Sequence, residues 1–125
     1  DFGERVDPIT GERSYHTGVD LAAPAGTTVR AAGAGRVIRA ETAGTYGNLV
    51  VIAHAGGVET RYGHLQEIHV REGQEVAPGA DVGAVGQTGR ATGPHLHFEV
   101  RRAGKAVDPK SEVTALNSPG NRSNR

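Results

Sequence analysis

Glycine interrupts this chain so often that its apolar residues can gather only in short segments. Nineteen of the 125 residues are glycine, and the branched aliphatics lean the same way, with fourteen Val and four Ile against five Leu. That composition favours many short strands joined by tight turns and excludes a helix bundle. Val29 to Ala31 and Val37-Ile38 read as two strands about the turn Gly33-Ala34-Gly35. Leu49, Val50, Val51 and Ile52 form a run apolar on both faces, short enough for a buried strand from Asn48 to His54. Ala55-Gly56-Gly57 turns it into Val58 to Leu65, the clearest hairpin. Ile68 and Val70, then Val82 and Val85, continue the pattern between glycine turns. From Pro94 to Arg101, His95, His97 and Glu99 alternate with Leu96, Phe98 and Val100, and the apolar side is the core side. The expected fold is all-β: two packed antiparallel sheets in an open, barrel-like sandwich. One domain is expected over residues 1–116, led by an irregular polar segment at 1–15. The tail at 117–125 carries no apolar residue to pack with and is expected to be mobile.

Charge and composition exclude several functions. Fourteen basic residues balance fourteen acidic ones, so no long-range field draws the chain to nucleic acid or an anionic membrane. Five aromatic residues are too few for a single-strand stacking platform. No apolar run approaches the ~20 residues of a spanning helix, and no signal peptide is expected. Without cysteine there is no thiolate metal site and no thiol nucleophile. Gly26-Thr27-Thr28-Val29 echoes Gly73-Gln74-Glu75-Val76 in the manner of biotinyl and lipoyl carrier barrels. Neither Lys105 nor Lys110 lies in a carrier hairpin, so only the barrel-like architecture survives from that echo.

The chemistry lies in the histidines. His16 and Asp20 stand four apart, an imidazole and a carboxylate, which are the ligand types zinc accepts without sulfur. In extended chain that spacing spans roughly 13 Å, so Gly18 must let the backbone bend if the two are to meet. His95-Leu96-His97 places two imidazoles on one side of a strand, roughly 7 Å apart. That arrangement suits one ligand with a neighbour over the metal's water, or simply the polar face of an edge strand. Arg61-Tyr62-Gly63-His64-Leu65 supplies a fourth histidine beside a glycine that permits close backbone approach. Glu99 shares the parity of His95 and His97, and reads either as a group orienting an imidazole or as a surface carboxylate. Tyr15 and Tyr46 read as cleft-lining or packing residues, and His54 and His69 receive no catalytic role.

Taken together, these segments resemble the lysostaphin-like, LytM-type zinc endopeptidases of peptidoglycan. The resemblance rests on His16-x-x-x-Asp20, Tyr46-Gly47-Asn48, Tyr62-Gly63-His64-Leu65, and Thr88-Gly89 through Thr92-Gly93-Pro94-His95-Leu96-His97-Phe98-Glu99, and runs from about Asp1 to Pro109. It implies zinc (Zn2+) held by His16, Asp20 and His97, with His64 and His95 working on water and transition state. A catalytic zinc keeps three protein ligands and one open position, which leaves two histidines for proton work. The base role is assigned to His95 and transition-state stabilisation to His64.

The resemblance further implies hydrolysis of peptidoglycan stem peptides or cross-bridges by metal-activated water, in the cell envelope, either periplasmic or secreted. An Ala-, Gly- and Arg-rich composition without an attached wall-binding module leans toward the direct link from D-alanine to a diamino acid over glycyl-glycine bridges. The alternative is a catalytically silent domain of the same family that activates a cell-wall amidase. Regulatory or wall-binding domains outside this chain are compatible with both.

Overall fold

The computed structural model describes residues 12–14, 19–89, 93–102 and 105–107, with the side chains of residues 20–89 and 93–102. The described strands are β1 (Glu12–Ser14), β2 (Val19–Ala22), β3 (Thr28–Arg30), β4 (Gly35–Thr42), β5 (Asn48–Ala53), β6 (Val58–Ile68), β7 (Glu75–Val76), β8 (Asp81–Val85), β9 (His95–Arg102) and β10 (Lys105–Val107). All their pairings are antiparallel. The order β1-β2-β9-β6-β5-β4-β7 forms the main sheet, which does not close; β10 lies beside β9, and β8 joins β6 and carries β3. The expected open, two-layered all-β arrangement is therefore present, and its layers are continuous through β6.

One interior serves both layers. Val29 of β3 and Val82 and Val85 of β8 cluster with Leu21, Val37, Val50, Ile52, Val58, Tyr62, Leu65, Leu96, Phe98 and Val100. Burying a side chain of this size contributes about 1.5–3 kcal/mol, so the alternation along β9 has an energetic cause. Leu96, Phe98 and Val100 are buried against the core while His95, His97 and Glu99 take the other face.

Strand β6 departs from regular alternation at one point, and the site depends on it. Val50 of β5 pairs with Tyr62 and Asn48 with Leu65, so Gly63 and His64 together oppose Leu49. This is a β-bulge, with one extra residue on β6. It allows Tyr62 and Leu65, three positions apart, both to enter the core. His64 takes up the irregularity with φ of 64°, the only positive φ of a non-glycine among the described residues. A bulky residue in that region is strained and persists only where its surroundings hold it.

Three local readings differ from the structure. Glu12–Ser14, inside the expected leading loop, forms β1 on β2. β4 runs on to Thr42, past the expected Val37-Ile38, because Arg39 and Glu41 pair with β5 without adding apolar character. The flanks of the Gly33–Gly35 turn do not pair with each other: β3 pairs with β8, and β4 with β5 and β7. The C-terminal tail lies outside the described residues.

Candidate active site

Backbone register, more than loop geometry, assembles the site. In β2 and β9, Asp20 lies directly opposite His97, and in β9 and β6, His97 lies opposite Gly63. Directly opposed residues share a face, so Asp20, His97 and His95 all project to the side of the sheet away from the core. The bulge adds His64, whose ring centroid lies 4.8 Å from that of His95 and 5.9 Å from that of His97. Four of the five expected site residues, Asp20, His64, His95 and His97, are thus brought together. The fifth, His16, lies outside the described residues, as does Tyr15.

His97 stands between two carboxylates. Its Nδ1 is 2.8 Å from Asp20 Oδ1 and its Nε2 is 2.7 Å from Glu99 Oε2. Burial works to lower the His97 pKa, but the hydrogen bonds to Glu99 and Asp20 outweigh it and the net direction is upward. A neutral imidazole carries one N–H, and both neighbours are acceptors. With that N–H donated to Glu99, the Nδ1 lone pair faces a carboxylate oxygen at hydrogen-bond distance. Two acceptors so placed need a positive charge between them, either a proton or a cation shared by both. An imidazole nitrogen beside a carboxylate oxygen is a donor pair that zinc takes, so the residues present fit the metal. Among the described residues no group of three potential ligands converges.

Glu99 is no surface carboxylate, for it is only 3% exposed. The Tyr46 hydroxyl lies 3.1 and 3.0 Å from its two oxygens, and Arg101 Nε donates to Oε1 at 3.1 Å. Burial pushes the Glu99 pKa up, yet His97, Tyr46 and Arg101 together hold it below the usual carboxylate value. Tyr46 reaches Glu99 by crossing Gly63, where an added Cβ would come within 3.2 Å of the Tyr46 ring. The glycine expected to permit close approach does so, and what approaches is Tyr46.

His64 and His95 are held alike. His64 Nδ1 lies 2.6 Å from the Thr88 carbonyl, and His95 Nδ1 lies 2.9 Å from the Gly93 carbonyl. A carbonyl only accepts, so each ring carries its proton at Nδ1 and presents a lone pair at Nε2. His95 Nε2 is 3.6 Å from Asp20 Oδ1. Burial, more than the opposing bond to Thr88, lowers the His64 pKa and favours its neutral form. Thr88 itself was not singled out by residue type, because its contribution is a backbone carbonyl. The remaining described histidines stand elsewhere. His54 bonds Ala34 and Thr60, and the exposed His69 bridges Glu67 and Asp81.

Residues 14–109 match Peptidase family M23, and the chain belongs to this metallopeptidase family. Over 118 residues it is 49% identical to the DD-carboxypeptidase/endopeptidase Mpg of Neisseria meningitidis serogroup B, covering 94% of this chain and 27% of Mpg. The chain thus spans about a quarter of the length of such curated relatives. Among solved structures it resembles the catalytic domain of lysostaphin from Staphylococcus simulans, with a TM-score of 0.74 and 30% identity over 90% of this chain and 87% of that one. It also resembles a zinc-containing peptidase from Vibrio cholerae, with a TM-score of 0.72 and 38% identity over 83% of this chain and 35% of that one.

Proposed function

We propose that this domain is a zinc-dependent endopeptidase of the bacterial cell envelope that hydrolyses peptidoglycan cross-links between D-alanine and a diamino acid. The observation that carries the reading is the pair of Nδ1-anchored imidazoles, His64 and His95, beside the Asp20–His97 donor pair. The similarity to Mpg, a DD-carboxypeptidase/endopeptidase by name, and to the peptidoglycan DD-endopeptidase ShyA of Vibrio cholerae supports a wall-peptide substrate.

His16, Asp20 and His97 would hold the zinc, with Glu99 fixing the His97 ring through Nε2. When bound, the metal supplies Lewis acidity that polarises a carbonyl and makes water acidic near neutrality. His95 accepts the water proton at Nε2 and returns it to the leaving amine. His64 presents the same lone pair, so as a neutral ring it accepts, and it stabilises negative charge only once it has gained a proton. The two imidazoles lie in edge-to-face contact beside the Asp20–His97 pair.

Digestion of purified walls of both cross-link types, followed by muropeptide analysis, tests this. Directly linked walls should yield monomers, a chelator should stop the release, and added zinc should restore it. His95→Ala and His64→Ala should each keep the metal while the rate falls by about 10² to 10⁴. Zinc-loaded His95→Ala as active as the parent would overturn the mechanism. A parent that cuts nothing but stimulates an amidase would put the silent-domain reading in its place.

A further inference from the structure

A histidine at positive φ in a bulge keeps one orientation only if its surroundings hold it. Thr88 touches His64 and also ties down the strands on either side of it. Its carbonyl accepts from His64 Nδ1 at 2.6 Å, and its hydroxyl donates to the Leu65 carbonyl at 2.7 Å. The same hydroxyl oxygen accepts from the Asn48 backbone N–H at 3.0 Å. Asn48 and Leu65 are the paired residues that close the bulge, and the Asn48 side chain donates to the Leu65 carbonyl as well, at 2.9 Å. The hydroxyl thus occupies the point where β5 and β6 rejoin after the extra residue, while the carbonyl of the same residue takes the ring.

Two glycines seat Thr88 there. Gly47 and Gly89 have φ of 68° and 72°, and their backbones are so close that a Cβ on Gly47 would lie 2.4 Å from Thr88 Oγ1. A Cβ on Gly89 would lie 2.3 Å from Gly47 N. No side chain fits at either position, so the segment before β5 and the segment after β8 lock together around Thr88. Tyr46, which precedes Gly47, is the residue that bonds Glu99.

We propose that Thr88 is a positioning residue for the hydrolytic reaction: its side chain anchors the bulge so that its carbonyl holds His64 in the Nδ1–H tautomer, with Nε2 turned toward the site. The inference rests on the reading of His64 as a participant in hydrolysis. Its first test needs neither substrate nor turnover. In long-range ¹H–¹⁵N spectra of the zinc-loaded protein, His64 should show a protonated Nδ1 and an unprotonated Nε2. An Nε2–H tautomer in the parent overturns the proposal, even if wall hydrolysis is confirmed.

Thr88→Val, which keeps the shape and loses the hydroxyl, should release the carbonyl and give a mixture of His64 tautomers. Displacing a reacting group by about 1 Å can cost 10²-fold, and kcat should fall by about that much with KM and zinc content little changed. Thr88→Ser should restore both tautomer and rate. In a His64→Ala background, Thr88→Val should cause no further loss, because its effect passes through the ring. A folded Thr88→Val protein with parental tautomer and kcat overturns the proposal. Should that variant not fold, the parent spectrum and Thr88→Ser decide the matter, since a serine that folds yet loses the tautomer also overturns it.

Discussion

Two histidine networks lie on opposite faces of one sheet, and β6 contributes to both. On the core side, His54 Nδ1 donates to the Ala34 carbonyl at 2.7 Å, and Nε2 accepts from Thr60 at 2.7 Å. Thr60 accepts in turn from Tyr62, whose oxygen accepts from the Ala32 backbone N–H at 2.9 Å. Both ring nitrogens are engaged by neutral partners, and burial lowers the His54 pKa to about 4. Burial likewise pushes the Tyr62 hydroxyl up to about 12. On the open face, His64 and His95 each give one nitrogen to a carbonyl and turn the other to the shared space. The residue type is the same and burial is comparable at His54 and His64, with 8% and 7% exposure. The difference lies in how many ring nitrogens the fold itself consumes.

The two faces should come apart under mutation. The largest effect is expected for His97→Ala, which removes one of the two proposed metal donors that lie among the described residues. Zinc by elemental analysis and wall-peptide cleavage should both drop to background, with the β-rich circular dichroism spectrum retained. Zinc content equal to the parent's would remove His97 from the ligand set. His54→Gln should do the reverse, leaving metal and cleavage intact while lowering resistance to urea.

Acid should sharpen the contrast. Above about pH 6.5 His54 is neutral in both folded and unfolded chains, and its favourable contribution is fully present. As pH falls from 6.5 toward 4, the unfolded chain takes up a proton that the folded protein refuses, so stability is lost. A folded pKa near 4 against 6.5 unfolded corresponds to about 3 kcal/mol. Urea unfolding of the parent from pH 7 to pH 4 should show that loss over and above the loss in His54→Gln. Parallel pH profiles for the two proteins would mean that His54 is not held neutral.

The smallest effect is expected from Glu99→Gln, which preserves shape but weakens the grip on His97 Nε2. Loss of such an outer partner typically costs 10- to 100-fold in metal affinity, and a conservative amide should sit near the lower figure, about 10-fold. Competition with a chromophoric chelator measures it. Unchanged affinity would make Glu99 a partner of Arg101 and Tyr46 alone.

Much of this architecture was legible because strand parity is a strong signal. The alternation in β9 already separated His95, His97 and Glu99 from Leu96, Phe98 and Val100, as the structure shows. The Asp20–His97 approach was not legible from spacing, since the two are 77 residues apart and meet through the β2–β9 register. The bulge could have been found. Tyr62 and Leu65 cannot both face the core of a regular strand, and that parity conflict marks an inserted residue at Gly63-His64. β1 and the far half of β4 escaped notice because polar edge segments carry no apolar pattern. Thr88 stood within the family pattern, but its role was not legible because nothing in the identity of a threonine says where its carbonyl points.

The shared strand also sets a clock. Strand β6 is bonded to β5 on one side, and on the other to β9 and then β8. A segment paired on both edges has no local way to open, so its amides should exchange with solvent only as fast as the whole domain unfolds. His64 is carried by this doubly paired strand, at the bulge where no neighbouring strand gives it a register partner. Its backbone is then steadied by the strands around it while its ring answers to the Thr88 segment, so agents that loosen the core from behind would reach the open face as intermittency before any loss of form.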